Sequence, residues 1–389
     1  MLSRPSTCYA RAVDILASDL WIYLSGAMGA LSATYLVARG AASATRILRA
    51  RRAYPADSAP RSVEADSRAD RYRGALYGLA LGDALNLPAE SLPRWLVRLR
   101  YPSGPKMRRG WLRFLRRPGD ISDDTQLTIA VARSLVPESE RSASGGRIRS
   151  RSPLQAAYDH QRFIRELGEW SRFRVGAGRA SARAACYALK HGEARGDRRS
   201  EGNGVAIRVL PFAMLDSLQG AELREVLELN GRATHDTDNA IAGAHFVCHL
   251  WRGCLQSTPG LLDDEERLRA LLEEAAKVSG FCPQDLRAAL ASTPAPLKKA
   301  PTGHVASCIP AAAAVLLRHG SDFEAAMRTI FFHGGDTDSV GAIVGAAIGA
   351  QRGASTLPDK LLAPLQHRQT LACLADELTA LSDDRGSPH

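Results

Sequence analysis

An all-α fold is what this sequence predicts, on three observations. Aromatic residues make up only 6% of the 389 positions, while Ala, Leu and Gly abound and Val/Ile/Thr runs are scarce, a balance that favours helices over pleated strands. Apolar residues recur at helical spacing in "PLQAAYDHQRFIRELGEW", "AELREVLELN", "DEERLRALLEEAAKVSG" and "DFEAAMRTIFF", with Gly or Pro between the segments. Neither strand alternation nor a fixed internal repeat accompanies them. With 45% hydrophobic residues, a chain of this length can bury a sizeable core, and one helical domain over 71–381 is the simplest organisation.

Ahead of that domain the composition changes twice. Residues 20–38, "LWIYLSGAMGALSATYLVA", are an uncharged run of 19, and "RGAASATRILRARR" follows with five arginines. The run is long enough for a single membrane span. A positive flank on its far side argues against a cleaved signal peptide and would hold the remainder in the cytoplasm, anchored. The alternative is a hydrophobic helix packed on the body of the protein. Residues 1–52 are therefore expected to form a separate N-terminal segment and candidate membrane contact, and "AYPADSAPRSVEADSRAD" over 53–70 a linker. The last residues, 382–389, read as a disordered tail.

Seven scattered cysteines without a CxxC spacing read as reduced, buried thiols in a cytoplasmic setting, with neither a zinc site nor a disulfide framework. The net charge of +10 suggests an anionic partner, and part of it lies in 94–117, where nine Lys/Arg occur without an acid. That stretch is either a solvated cationic surface or a contact for phosphates or an acidic partner.

The chemistry concentrates in acidic clusters at helix starts. "HGGDTDSVGAIVGAAIGA" sets Asp336, Thr337, Asp338 and Ser339 after two glycines and ahead of an apolar run in which Gly341, Gly345 and Gly349 recur every fourth residue. Such a ridge admits a neighbouring helix at short distance and belongs at the centre of a bundle. One Asp or Ser would cap the helix, so two acids and two hydroxyls in four residues leave capping and cation binding both open. "GDISDDTQLTIAVARSL" repeats the pattern with Ser122, Asp123, Asp124 and Thr125. If the two helix starts met, four carboxylates would repel unless cations lay between them. Three smaller pieces complete the set. Glu90 follows Pro88 at the end of a small-residue helix; Ser200, Gly202, Asn203 and Gly204 make a turn whose amides could cradle phosphate; and His235 and Asp236 stand at another helix start.

Taken in order, these pieces resemble the ADP-ribosylglycohydrolase family, which includes the dinitrogenase reductase activating glycohydrolase and the ADP-ribosylhydrolases. "GALYGLALGDALNLPAE" is similar to the family's opening, "SDDTQ" to its S/T-D-D-T motif, "SEGNGVAIRVLP" to its S-x-G-N-G stretch, "ATHDTDNAIAGA" to its T-H segment, and "GGDTDSVGA" to its terminal block. The match runs from about 71 to 365. The resemblance implies an orthogonal multi-helix bundle with a cleft holding two Mg²⁺ or Mn²⁺ ions, with Ser122, Asp123, Asp124, Asp336, Asp338 and Ser339 as ligands. It implies hydrolysis of the N- or O-glycosidic bond of ADP-ribose attached to a protein side chain or small acceptor. Glu90 and Asp123 would be the catalytic carboxylates, and Ser200, Gly202, Asn203, Gly204 and His235 would contact the ADP-ribose. The implied partner is an ADP-ribosylated protein or an ADP-ribose derivative; no sequence-specific nucleic acid is expected.

Three positions depart from the family pattern. Asn86 replaces a usual Gly, Asp238 stands where Pro is frequent, and Gly176, in "RVGAGRASARA", takes the place of an acid common in the arginine-directed branch. The last leans the reading away from ADP-ribosyl-arginine and leaves the linkage open. A non-catalytic ADP-ribose binder or toxin-immunity protein is the competing function. All six ligand positions and Glu90 are present, which favours catalysis. A metal-dependent phosphohydrolase is weaker, because its D-x-D follows a strand.

Overall fold

The structure, a computed structural model, describes residues 45–55, 59–107, 117–136, 158–291 and 299–384. Helices dominate these residues, and no strand occurs among them; the only extended pairings there are isolated bridges. The predicted all-α class holds.

Two helices form the axis of the molecule: α1, Arg68–Asn86, and a later helix, Thr337–Arg352. They pack antiparallel along matching glycines, with Gly74 against Gly349, Gly78 against Gly345 and Gly82 against Gly341. A Cβ added at Gly78 would stand 2.0 Å from the carbonyl oxygen of Gly345, and one added at Gly345 would stand 2.1 Å from that of Gly78. The backbones therefore touch with no room for a side chain, and any larger residue must push the helices apart. The predicted ridge thus has a partner with the same four-residue glycine period.

The remaining helices surround this pair. In chain order, those that position the site are α2, Asp123–Leu135; α3, Asp238–Gln256; α4, Val305–His319; α5, Phe323–His333; α6, the Thr337–Arg352 helix already met; and α7, Arg368–Asp384. α3, α4 and α5 pack on α6, and α7 packs on α1. Trp251 of α3 is fully buried and donates its indole N–H to the carbonyl of Ile343 in α6 at 3.0 Å, which satisfies the one polar atom such a ring brings into a core.

Several boundaries differ from the expectation. The chain over 45–50 is helical and docked. Ile47 and Ala50 are buried against Val175 and Phe173, the Arg51 guanidinium forks onto the Asp120 carboxylate at 2.7 and 3.0 Å, and Tyr54 is buried in the main core. The basic flank placed in a separate segment therefore lies partly on the body of the protein, because its few apolar residues and one arginine find partners there. At the other end α7 runs to Asp384, past the expected limit of 381. Among the described residues no helix is long and apolar enough to cross a membrane; the 20–38 stretch lies outside them. Cys248, Cys254, Cys308 and Cys373 are buried as expected, whereas Cys186 and Cys282 are exposed; all six are free thiols.

Candidate active site

The two acidic helix starts, far apart in sequence, open onto one pocket of about 980 Å³. Glu90, Asp123, Asp124, Asp336, Asp338 and Ser339 line it together with Ser200, Gly202, Asn203, Gly204 and His235. Ser122 alone of the expected residues does not line it. Its side chain is fully buried and its hydroxyl caps α2, accepting from the Asp124 N–H at 3.3 Å.

The two starts are held differently. At α2, the carboxylate of Asp83, itself fully buried in α1, accepts from the Ser122 N–H at 2.9 and 3.1 Å and from the Thr125 hydroxyl at 2.5 Å. At α6, Asp336 sits in the cap position but makes no capping bond to its own helix. The chain is instead fixed by backbone. Gly334 and Gly335 take φ of +69° and +81°, Gly335 exchanges bonds with Ser91 and Leu92, and the Asp336 N–H donates to Pro301 at 2.8 Å. The Thr337 hydroxyl then donates to the carbonyl of Asn86 at 2.9 Å, at the end of α1. Asn86, the departure from the usual glycine, is fully buried there and donates to the Gly82 carbonyl at 2.9 Å.

Two contacts cross the pocket floor. Ser339 donates to Asp124 at 2.9 Å, and the Asn203 amide donates to Asp336 at 2.6 Å. The GNG turn is itself anchored. The Asn203 N–H donates to Gly303 at 3.0 Å, and Arg208, buried beneath it, donates to the side chain and carbonyl of Asn230, both at 2.8 Å. His235 is buried, bonded at Nδ1 to the Thr234 hydroxyl at 2.8 Å, and burial lowers its pKa to about 3, so it is a neutral wall of the pocket.

The carboxylates are crowded and poorly solvated. Burial, then the charges of Glu90 and Asp83, pushes Asp123 up to about 8, and burial raises Asp336 to about 6 against the hydrogen bond from Asn203. Asp124 and Asp338 are raised well above the usual carboxylate range by burial, and next by Asp123 and Glu90 respectively. Asp338 Oδ1 is buried without a hydrogen-bond partner. Among the described residues no three His, Cys, Asp or Glu side chains converge closely enough to enclose a metal ion. The donor chemistry nevertheless suits a hard cation: carboxylate and hydroxyl oxygens, one of them orphaned, in a cluster of like charges.

Three contributors escaped the sequence reading. Pro301, Thr302 and Gly303 line the pocket from the turn before α4, a stretch not singled out from the sequence. Asp83 positions α2 without lining the pocket, and its signal was an acid inside an otherwise apolar small-residue helix. Arg179 and Arg183 line the outer wall. Gly176 faces Asp123, has φ of +86°, and a Cβ there would stand 3.0 Å from Asp123 Oδ1, so an acid in its place would crowd that carboxylate. Asp238 is exposed and pairs with Arg232 at 3.0 Å, away from the pocket lining.

Helical fold and acid-lined pocket together define a hydrolase-like site with paired helix-start carboxylates. The ADP-ribosylglycohydrolase profile matches residues 64–388, and the chain belongs to that family. It is similar to the ADP-ribosyl-[dinitrogen reductase] glycohydrolase of Rhodospirillum rubrum, 29% identical over 43% of this chain and 52% of that protein. It is also similar to the ADP-ribosylarginine hydrolase Tri1 of Serratia proteamaculans, 23% identical over 79% of each chain. A solved structure titled ADP-ribosylglycohydrolase-related protein complex superposes with a TM-score of 0.63 at 28% identity, covering 81% of this chain and 99% of that one. Membership supports hydrolysis of glycosidic bonds of ADP-ribose.

Proposed function

We propose that this protein is a metal-dependent hydrolase that releases ADP-ribose from a protein side chain or a small acceptor. The convergence of Glu90 and both acidic helix starts on one pocket is the observation that carries the reading. Asp123, Asp124, Asp336, Asp338 and Ser339 would hold two Mg²⁺ or Mn²⁺ ions, with Ser122, expected as a sixth ligand, turned away from the pocket as the α2 cap; the orphaned Asp338 oxygen supports a cation in that place. When bound, such ions make water more acidic at neutral pH and orient vicinal hydroxyls. Glu90, which lines the same pocket, trades a proton with water or the leaving group, and Asp123 stands near it as a second carboxylate. Asn203 orients Asp336 through its 2.6 Å bond, and Ser200, Gly202, Gly204 and the neutral His235 form the wall against which the ADP-ribosyl group lies.

The acceptor is the finer question. A relative's name points to arginine, whereas Gly176, which faces Asp123, adds no further carboxylate there for a guanidinium and supports an oxygen-linked or neutral acceptor. The full-length protein is incubated with proteins ADP-ribosylated on arginine or on serine, with Mg²⁺, with Mn²⁺ and with chelator. Metal-dependent release from serine exceeding that from arginine is the expected outcome, and no release from either linkage would sink the enzyme reading. In parallel, Asp338→Ala should abolish the metal-dependent rise in melting temperature; an unchanged rise removes this residue from the metal site.

A further inference from the structure

A second hollow, of about 300 Å³, adjoins the turn that leads into Asp336. Arg94, Arg98, Arg318, Arg328, His319 and Phe332 line it, and its lining contains no Asp or Glu. His333 also lines this hollow, while Gly335 and Asp336, two and three residues on, line the catalytic pocket.

α4 lines one side of it with Arg318 and His319, and two further chain segments complete it. The helix Arg94–Arg100 supplies Arg94 and Arg98, one turn apart, and α5 supplies Arg328 and Phe332, also one turn apart. The Arg328 guanidinium lies 5.0 Å from the centre of the Phe332 ring, which holds its plane in the hollow's wall. These segments are joined by the Leu92–Gly335 bridge: the Ser91 N–H donates to Gly335 at 2.8 Å, and the Gly335 N–H donates to Leu92 at 3.0 Å. Beyond the bridge, the first segment carries Glu90 and the second carries Asp336.

We propose that this hollow binds a phosphate group and that its occupancy braces the two segments bearing Glu90 and Asp336. Guanidinium groups present forked N–H donors that match phosphate oxygens two at a time, and four of them around one concavity without an acid focus positive potential on it. The volume lies at the small end of ligand sites and suits a mononucleotide, a sugar phosphate or a lipid head group rather than a polymer. A phosphate spanning Arg94 or Arg98 and Arg328 ties the two segments on the side of the bridge away from the chemistry. Binding in the two pockets is then coupled, and by linkage each ligand strengthens the other.

Calorimetric titration of the full-length protein with AMP and with inorganic phosphate, the catalytic pocket saturated with ADP-ribose, tests this. One further equivalent should bind, with affinity falling as salt rises, and Arg98→Glu/Arg328→Glu should weaken it by roughly tenfold or more while ADP-ribose affinity in the absence of phosphate stays within about twofold. Arg98→Gln, a milder change at an exposed position, should weaken it in the same direction. Co-sedimentation with phosphatidylcholine vesicles with and without phosphatidic acid separates the sources: binding confined to the acidic vesicles assigns a lipid head group, and binding in solution assigns a free phosphate. Absence of any further phosphate equivalent and of vesicle binding, or equal binding by the charge-reversed variant, overturns the proposal. Binding of an acidic peptide without phosphate binding overturns it as well.

Discussion

The starts of α2 and α6 carry nearly the same residues, S-D-D-T and D-T-D-S, and the fold secures them by opposite means. The α2 start is held by side chains: Asp83 reaches across from α1 to two donors, and Ser122 caps the helix. At α6 the backbone does this work, through two left-handed glycines, the bridge to Leu92 and the bond to Pro301, while Asp336 points its carboxylate at Asn203. Similar sequences thus gain rigidity from different sources, which leaves Asp336 and Asp338 free of capping duty. The contrast implies that the first rim is sensitive to loss of polar atoms and the second to gain of a single carbon.

Substituting the backbone-held rim should cost most. Gly335→Ala places a Cβ 2.2 Å from the Pro301 carbonyl at a φ of +81°. The left-handed backbone costs about 1–2 kcal/mol and the overlap about 1–3 kcal/mol more, so a loss of about 3 kcal/mol in urea unfolding is expected, with loss of hydrolysis. A loss below about 0.5 kcal/mol would show that this turn is not backbone-constrained. Next, Asp83→Ala strands the Ser122 N–H and the Thr125 hydroxyl, both fully buried, and should cost about 2–3 kcal/mol. Asp83→Asn, which keeps one acceptor, should recover part of it, and equal costs for the two variants would break the claim that hydrogen bonding holds α2.

The smallest effect sharpens the comparison most directly. Ser122→Ala removes a cap bond and should lower stability by about 1 kcal/mol, whereas Asp336→Ala removes no cap bond and should cost less by this route. The order reverses in the assay: Asp336→Ala should abolish turnover, and Ser122→Ala should reduce it. Unfolding and hydrolysis measured on the same two proteins give both orders, and a larger stability loss for Asp336→Ala would place its main role in the fold.

Much of this was legible along the chain. Helical period, the glycine repeat of α6 and the acid pairs after Gly are local patterns, and each reads directly as an element or a helix start. Glu90, by contrast, was only an acid after a proline at a helix end until the resemblance gave it a role, because its significance depends on the acids from distant segments that share its pocket. Asp83 and the Pro301–Gly303 turn were passed over for the same reason. A buried acid inside a helix and a three-residue turn have no local signature of the partners they serve. The N-terminal boundary failed differently, since Ile47, Ala50 and Arg51 are too few to signal docking, and only Val175, Phe173 and Asp120 reveal it.

Local pattern along the chain is enough to make the protein helical, to give its central helix glycines every fourth residue, and to start two helices with acids. These follow from interactions within a few residues of one another. Packing at a distance is what gives α6 its matching glycines from α1, fixes the two rims through Asp83 and the Leu92–Gly335 bridge, and turns Arg94 and Arg328 to one hollow. Those are pairings between residues tens to hundreds of positions apart, which no local pattern can specify.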